Sequence, residues 1–98
     1  MKENKEIKII EFYGKECPHC LRMAPIVEKL EKELGIEIKK YEVWHSEANA
    51  KMMEEKYGVA VSEACGGGLG VPNFVNENTN EGLCGEVSYD ILKKWILG

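Results

Sequence analysis

Ninety-eight residues make a single domain, 1–98, long enough to bury a core without obligatory staples. The chain is 44% hydrophobic and 31% charged with a net charge of −4, as in a water-soluble globular protein. No apolar run approaches the ~18 residues of a membrane span, and no cluster of Lys and Arg offers a groove for nucleic acid.

The opening segment, Met1 to Ile10, has neither an uninterrupted apolar stretch nor a small-residue cleavage site, so the expected location is cytoplasmic. Ile7, Ile9, Ile10, Phe12 and Tyr13 are too apolar for a one-sided strand. They predict a central strand buried on both faces and closed by Gly14. From Pro18 to Leu34, Cys20, Met23, Ala24, Val27, Leu30 and Leu34 recur at helical spacing, with charged residues between them. Gly35 is the expected stop. Ile36 to Trp44 alternates in part and reads as a second strand. Ser46 is the candidate N-cap for a helix that runs to about Tyr57 and ends at Gly58. Val59 to Gly70, with Cys65 and three consecutive glycines, reads as a flexible loop. Val71-Pro72 leads into Asn73–Asn76, a polar turn follows at Asn78–Asn80, and Leu83–Val87 returns as the second arm of a hairpin. Ser88 caps a last helix expected to bury Ile91, Leu92, Trp95 and Ile96. The order βαβαββα predicts an α/β fold: a four-stranded mixed sheet, one parallel pair plus an antiparallel hairpin, flanked by helices.

Cys17-Pro18-His19-Cys20 falls where the first strand gives way to the first helix. The first turn of a helix has unpaired N–H groups and a positive dipole end, which favour a thiolate at Cys17. A thiolate is the attacking species in disulfide exchange. Two intervening residues on a helical turn bring Cys20 near enough to attack a mixed disulfide at Cys17. Cys20 lies on the apolar stripe and is expected to be the more buried of the pair. A Cys-x-x-Cys in a βαβ setting is a strong redox signal.

At these positions the chain resembles the thioredoxin superfamily over nearly its whole length. Glu11 stands six residues before the first motif cysteine, Pro25 five after the second, Val71-Pro72 precedes the hairpin, and Gly85 follows in the last strand. The resemblance implies a minimal thioredoxin fold and a dithiol that works without a cofactor. It implies that Glu11 is a buried carboxylate assisting proton transfer at Cys20. It also implies that Pro72 is a cis-proline, with Val71 offering a substrate edge beside Cys17. Pro18 and His19 would set the redox potential, with His19 stabilising the Cys17 thiolate and moving the potential above the ~−270 mV of thioredoxin. Pro25 reads as structural, and His45 as an ordinary surface residue.

Cys65 and Cys84 depart from the family pattern. Three readings stay open: a second disulfide pinning the glycine-rich loop, two accessory thiols, or a part in catalysis or metal binding. The preferred function is thiol–disulfide exchange on protein thiols and disulfides by a monomer, with a reductase as a further partner and no metal. The alternative is a metal or iron–sulfur site using all four cysteines, although only one pair is closely spaced.

Overall fold

The computed structural model describes residues 6–98. Residues 1–5, the start of the segment read as lacking a leader, lie outside the described residues. The elements are β1 (Ile9–Tyr13), α1 (Pro18–Leu34), β2 (Lys39–Glu42), α2 (Glu47–Ala64), β3 (Asn73–Asn76), β4 (Glu81–Cys84) and α3 (Tyr89–Leu97). The strands lie in the order β2-β1-β3-β4, with β1 parallel to β2 and antiparallel to β3, and β3 antiparallel to β4.

β1 is therefore interior, and its continuous hydrophobicity has a direct cause. Alternate side chains enter two separate cores. Ile9 packs with Met23, Val27, Leu30, Phe74 and Leu92, from α1, β3 and α3. Ile10 and Phe12 pack with Val43, Tyr57, Val61 and Val75 on the opposite face, beneath α2. Each such fully buried aliphatic side chain contributes about 1.5–3 kcal/mol relative to exposure. Glu11 shares the Ile9 face, so strand alternation aims a carboxylate toward α1. Ser46 and Ser88 cap their helices by accepting from Asn49 N and Ile91 N, and Gly35 ends α1 in the left-handed region at φ 65°.

Four elements differ from the sequence-based expectation. α2 does not stop at Gly58 but continues to Ala64, and Cys65 is its C-cap rather than part of a free loop. Tyr57, Ala60 and Val61 extend the buried stripe begun at Met53. Their burial outweighs the ~1 kcal/mol that a helical glycine costs. β2 is shorter than Ile36–Trp44 because Ile38 N donates to the Glu31 carboxylate (2.8 Å) instead of to a strand. The hairpin's second arm is Glu81–Cys84, not Leu83–Val87. Asn80 turns the chain at φ 59°, and Gly85, at φ 93°, ends the extended run. In α3, Leu92 and Ile96 are buried and Trp95 packs against them, whereas Ile91 is exposed. A nine-residue helix against one sheet face has only a narrow inward stripe.

Candidate active site

The junction of β1 and α1 positions the dithiol. Cys17 is the N-cap of α1, and Pro18 occupies the first helical turn, where its missing N–H costs nothing. Cys17 N donates to Gly14 O (3.1 Å), closing the turn. The N–H of Cys20 donates to Cys17 Sγ at 3.2 Å, and Gly14 N donates to Cys20 Sγ at 3.5 Å. Both cysteines are free thiols. Both are also buried, at 2% and 5% exposure, so the expected greater burial of Cys20 is not found. The N-cap position turns Cys17 back over its own helix and against Val71, whose carbonyl lies 3.8 Å from Cys17 Sγ.

The electrostatic setting of Cys20 holds its proton. Burial, the hydrogen bond with Cys17 and the nearby Glu11 push the Cys20 thiol up to about 12, against a weaker opposing pull from the Gly14 amide. Glu11 is 4% exposed, and burial raises its carboxyl from 4.5 to about 7; Lys40 pulls it down and Glu31 pushes it up. Lys40 is the register partner of Glu11 on β2, and its Nζ is bound by Glu31 Oε2 (2.7 Å) and Ile38 O (3.0 Å). Glu11, Gly14, Cys20, Leu21 and Lys40 line one cavity of about 260 Å³.

The Val71–Pro72 peptide bond is cis. Pro72 O accepts from Gly85 N at 2.7 Å, which ties this loop to the end of β4. A second, larger groove of about 570 Å³ runs past His19, Ile26, Val71, Pro72, Glu86 and Val87.

The hydrogen-bond partners of His19 are Glu86 and Arg22 rather than Cys17. Its Nδ1 lies 2.8 Å from Glu86 Oε1 and 2.9 Å from Arg22 Nη2, and Arg22 itself pairs with Glu86 at 3.0 Å. The carboxylate draws the imidazole along the outside of α1. On the other flank, His45 is exposed but paired, with Nε2 2.7 Å from Glu16 Oε1, next to Cys17. Glu42 reinforces that staple by accepting from the backbone N–H groups of Lys15 (2.9 Å), Trp44 (3.1 Å) and His45 (2.8 Å).

Cys65 and Cys84 form a disulfide joining the C-cap of α2 to the last residue of β4. Cys84 is the register partner of Asn73, which follows Pro72, so the bridge is tied to the strand that leads out of the Val71–Pro72 loop. The readings in which they stay free thiols or join a four-thiolate metal site do not fit this pairing. Among the described residues, no group of three or more His, Cys, Asp or Glu is arranged to hold a metal ion. No described helix is long and apolar enough to cross a membrane.

The family model described as Thioredoxin matches residues 1–62, more than half of the chain. The chain belongs to the thioredoxin family. Solved structures agree in fold. A mutant thioredoxin from Halobacterium salinarum shares 25% identity at a TM-score of 0.66, covering 94% of this chain and 73% of its own. The glutaredoxin of Archaeoglobus fulgidus shares 20% identity at a TM-score of 0.63, covering 99% and 98%. No curated protein matches at a significant level. The thioredoxin-like α/β fold expected from the sequence is thus shown, and membership with a close cysteine pair supports a redox role.

Of the residues singled out in the sequence, Cys17, Cys20, Val71 and Pro72 meet at one face, with Glu11 directly beneath. His19 borders that face through a different set of partners. Sequence reasoning missed Glu86, Lys40, Glu31 and Glu42. Glu86 carries no local signal beyond its place after Gly85. Lys40 needed the β1–β2 register, which no local pattern carries.

Proposed function

We propose that this thioredoxin-family protein is a thiol–disulfide oxidoreductase acting on protein substrates. The observation that carries this reading is the N–H of Cys20 donating to Cys17 Sγ at the first turn of α1, which accommodates negative charge on that sulfur. The Cys17 thiolate attacks a substrate disulfide, forming one S–S bond as the substrate's breaks; the departing sulfur leaves as thiolate and takes up a proton. Cys20 then attacks Cys17 Sγ and expels the second substrate sulfur. The substrate is reduced by two electrons, and Cys17–Cys20 becomes the disulfide. Every step runs in reverse when the partner is a dithiol.

Cys20, with its thiol held at about 12, is protonated at neutral pH and needs a base. Glu11, near 7 and on the wall of the same cavity, takes that proton and returns it in the reverse direction. Val71 presents backbone beside Cys17 for an extended substrate segment, and Pro72 shapes the groove next to it. The electrons pass through the dithiol itself, so no cofactor is required.

The test is reduction of insulin disulfides by the wild type and by Cys17→Ser, with dithiothreitol as electron donor. Turnover by the wild type, with the variant reduced to the uncatalysed rate, is the expected result. Equal rates for the two proteins would overturn the proposal.

A further inference from the structure

Glu86 has no part in the steps above, yet its carboxylate holds both basic side chains on the outer face of the α1 opening. Oε1 lies 2.8 Å from His19 Nδ1 and 3.0 Å from Arg22 Nε, and Oε2 lies 3.0 Å from the same Nε. Arg22 Nη2 approaches the same His19 nitrogen, at 2.9 Å. That nitrogen cannot serve both neighbours at once. With a proton it donates to Glu86, and without one it accepts from Arg22. In either state Glu86 remains against the Arg22 guanidinium, and with the His19 nitrogen protonated the two hydrogen bonds, Arg22 first and His19 second, hold its carboxyl at about 2. Arg22 also feels the dithiol: Glu86 raises its pKa most, and Cys17 adds to that rise.

We propose that Glu86 is a positioning residue that sets the redox poise of the Cys17–Cys20 pair, by engaging the His19 imidazole and offsetting the charge of Arg22 at the opening of the same helix. The inference rests on the oxidoreductase reading. A positive field at Cys17 favours the thiolate and hence the dithiol form, and stabilising the dithiol makes a stronger oxidant. Glu86 opposes that field from the wall of the groove that adjoins Val71 and Pro72. It therefore keeps the protein less oxidising than its Cys-Pro-His-Cys motif alone implies. The groups involved are exposed, so added salt weakens the effect.

The full chain is equilibrated in glutathione redox buffers, and the Cys17–Cys20 state is read by thiol trapping and peptide mass. Glu86→Gln is expected to shift the equilibrium at least threefold toward the dithiol, and Arg22→Gln a comparable amount toward the disulfide. Both shifts should shrink at high salt. Glu33→Gln removes the same charge near the far end of α1 and should leave the equilibrium where the wild type has it. An unmoved or oppositely moved Glu86→Gln overturns the proposal, as does an equal shift in Glu33→Gln. A wild type that forms no Cys17–Cys20 disulfide in any buffer defeats the oxidoreductase reading itself, which is a separate outcome.

Discussion

Glu11 on β1 stands directly across from Lys40 on β2, and both line the cavity that reaches Cys20. Lys40 does not neutralise its partner, because Glu31 already holds the ammonium at 2.7 Å. Burial then decides the protonation state of Glu11, and the carboxyl titrates near 7.

That raised value makes stability depend on pH. The folded state binds the Glu11 proton more tightly than the unfolded state does. Its contribution is therefore fully present below about 4.5 and is lost as pH rises through about 7. Glu11→Gln should remove this loss and make the protein more stable than the wild type at pH 8, by about 3 kcal/mol. The same variant should exchange disulfides more slowly at neutral pH. Urea unfolding at pH 4.5 and pH 8, beside insulin reduction, checks both outcomes; a pH-independent difference between the proteins would contradict the first.

The Cys65–Cys84 bridge closes a loop over a sequence separation of 19 residues. Constraining an unfolded loop of that size is worth about 3 kcal/mol. The double variant Cys65→Ser/Cys84→Ser should lose about that much in urea unfolding under non-reducing conditions. Because Gly85 N donates to Pro72 O right beside Cys84, exchange should also show a raised KM for protein substrates. Reduction of the wild type should reproduce the stability loss.

Two glycines allow close approaches of different kinds. A Cβ at Gly82 would meet the backbone oxygen of Ala60 at 2.7 Å, and a helix carbonyl cannot step aside cheaply. A Cβ at Gly14 would overlap the Trp44 indole, but Trp44 is half exposed and can swing outward. Gly82→Ala should therefore cost about 2–3 kcal/mol and Gly14→Ala about 1 kcal/mol. In a Trp95→Phe background, Gly14→Ala should also redden the emission of Trp44. Equal losses of stability would show that the helix yields as readily as the indole.

Glu42 orders the segment before Cys17. Partial burial pulls its carboxyl up, but the amides of His45, Lys15 and Trp44 outweigh this and keep it below the ordinary range. Glu42→Ala should lower the urea midpoint at pH 7. The gap should close as pH falls through the depressed folded value, because the protonated wild type has lost the same acceptor. Faster amide exchange at Lys15 and His45 is the local signature.

The order of elements was legible in the sequence because β1 and α1 carry strong, distinct periodicities, and because Ser46 and Ser88 use their side chains as caps. Cys17 and Cys20 were legible because their spacing is itself the chemistry. The far end of α2 was not, since Gly58 followed by Val59, which is exposed, hides a buried stripe that only the sheet beneath it reveals. The His19–Glu86 pairing was out of reach for another reason: its partners lie 67 residues apart, and no local pattern brings them together.

The strand order has a consequence for crowding. β2 is an outer strand of only four residues, and it opens with Lys39 and Lys40, both well exposed. A short edge gives a second copy few free amides and carbonyls to pair with, and lysine side chains along it disfavour close apposition of a matching edge. The strand that borders the Glu11 cavity is thus also a poor template for strand-to-strand aggregation.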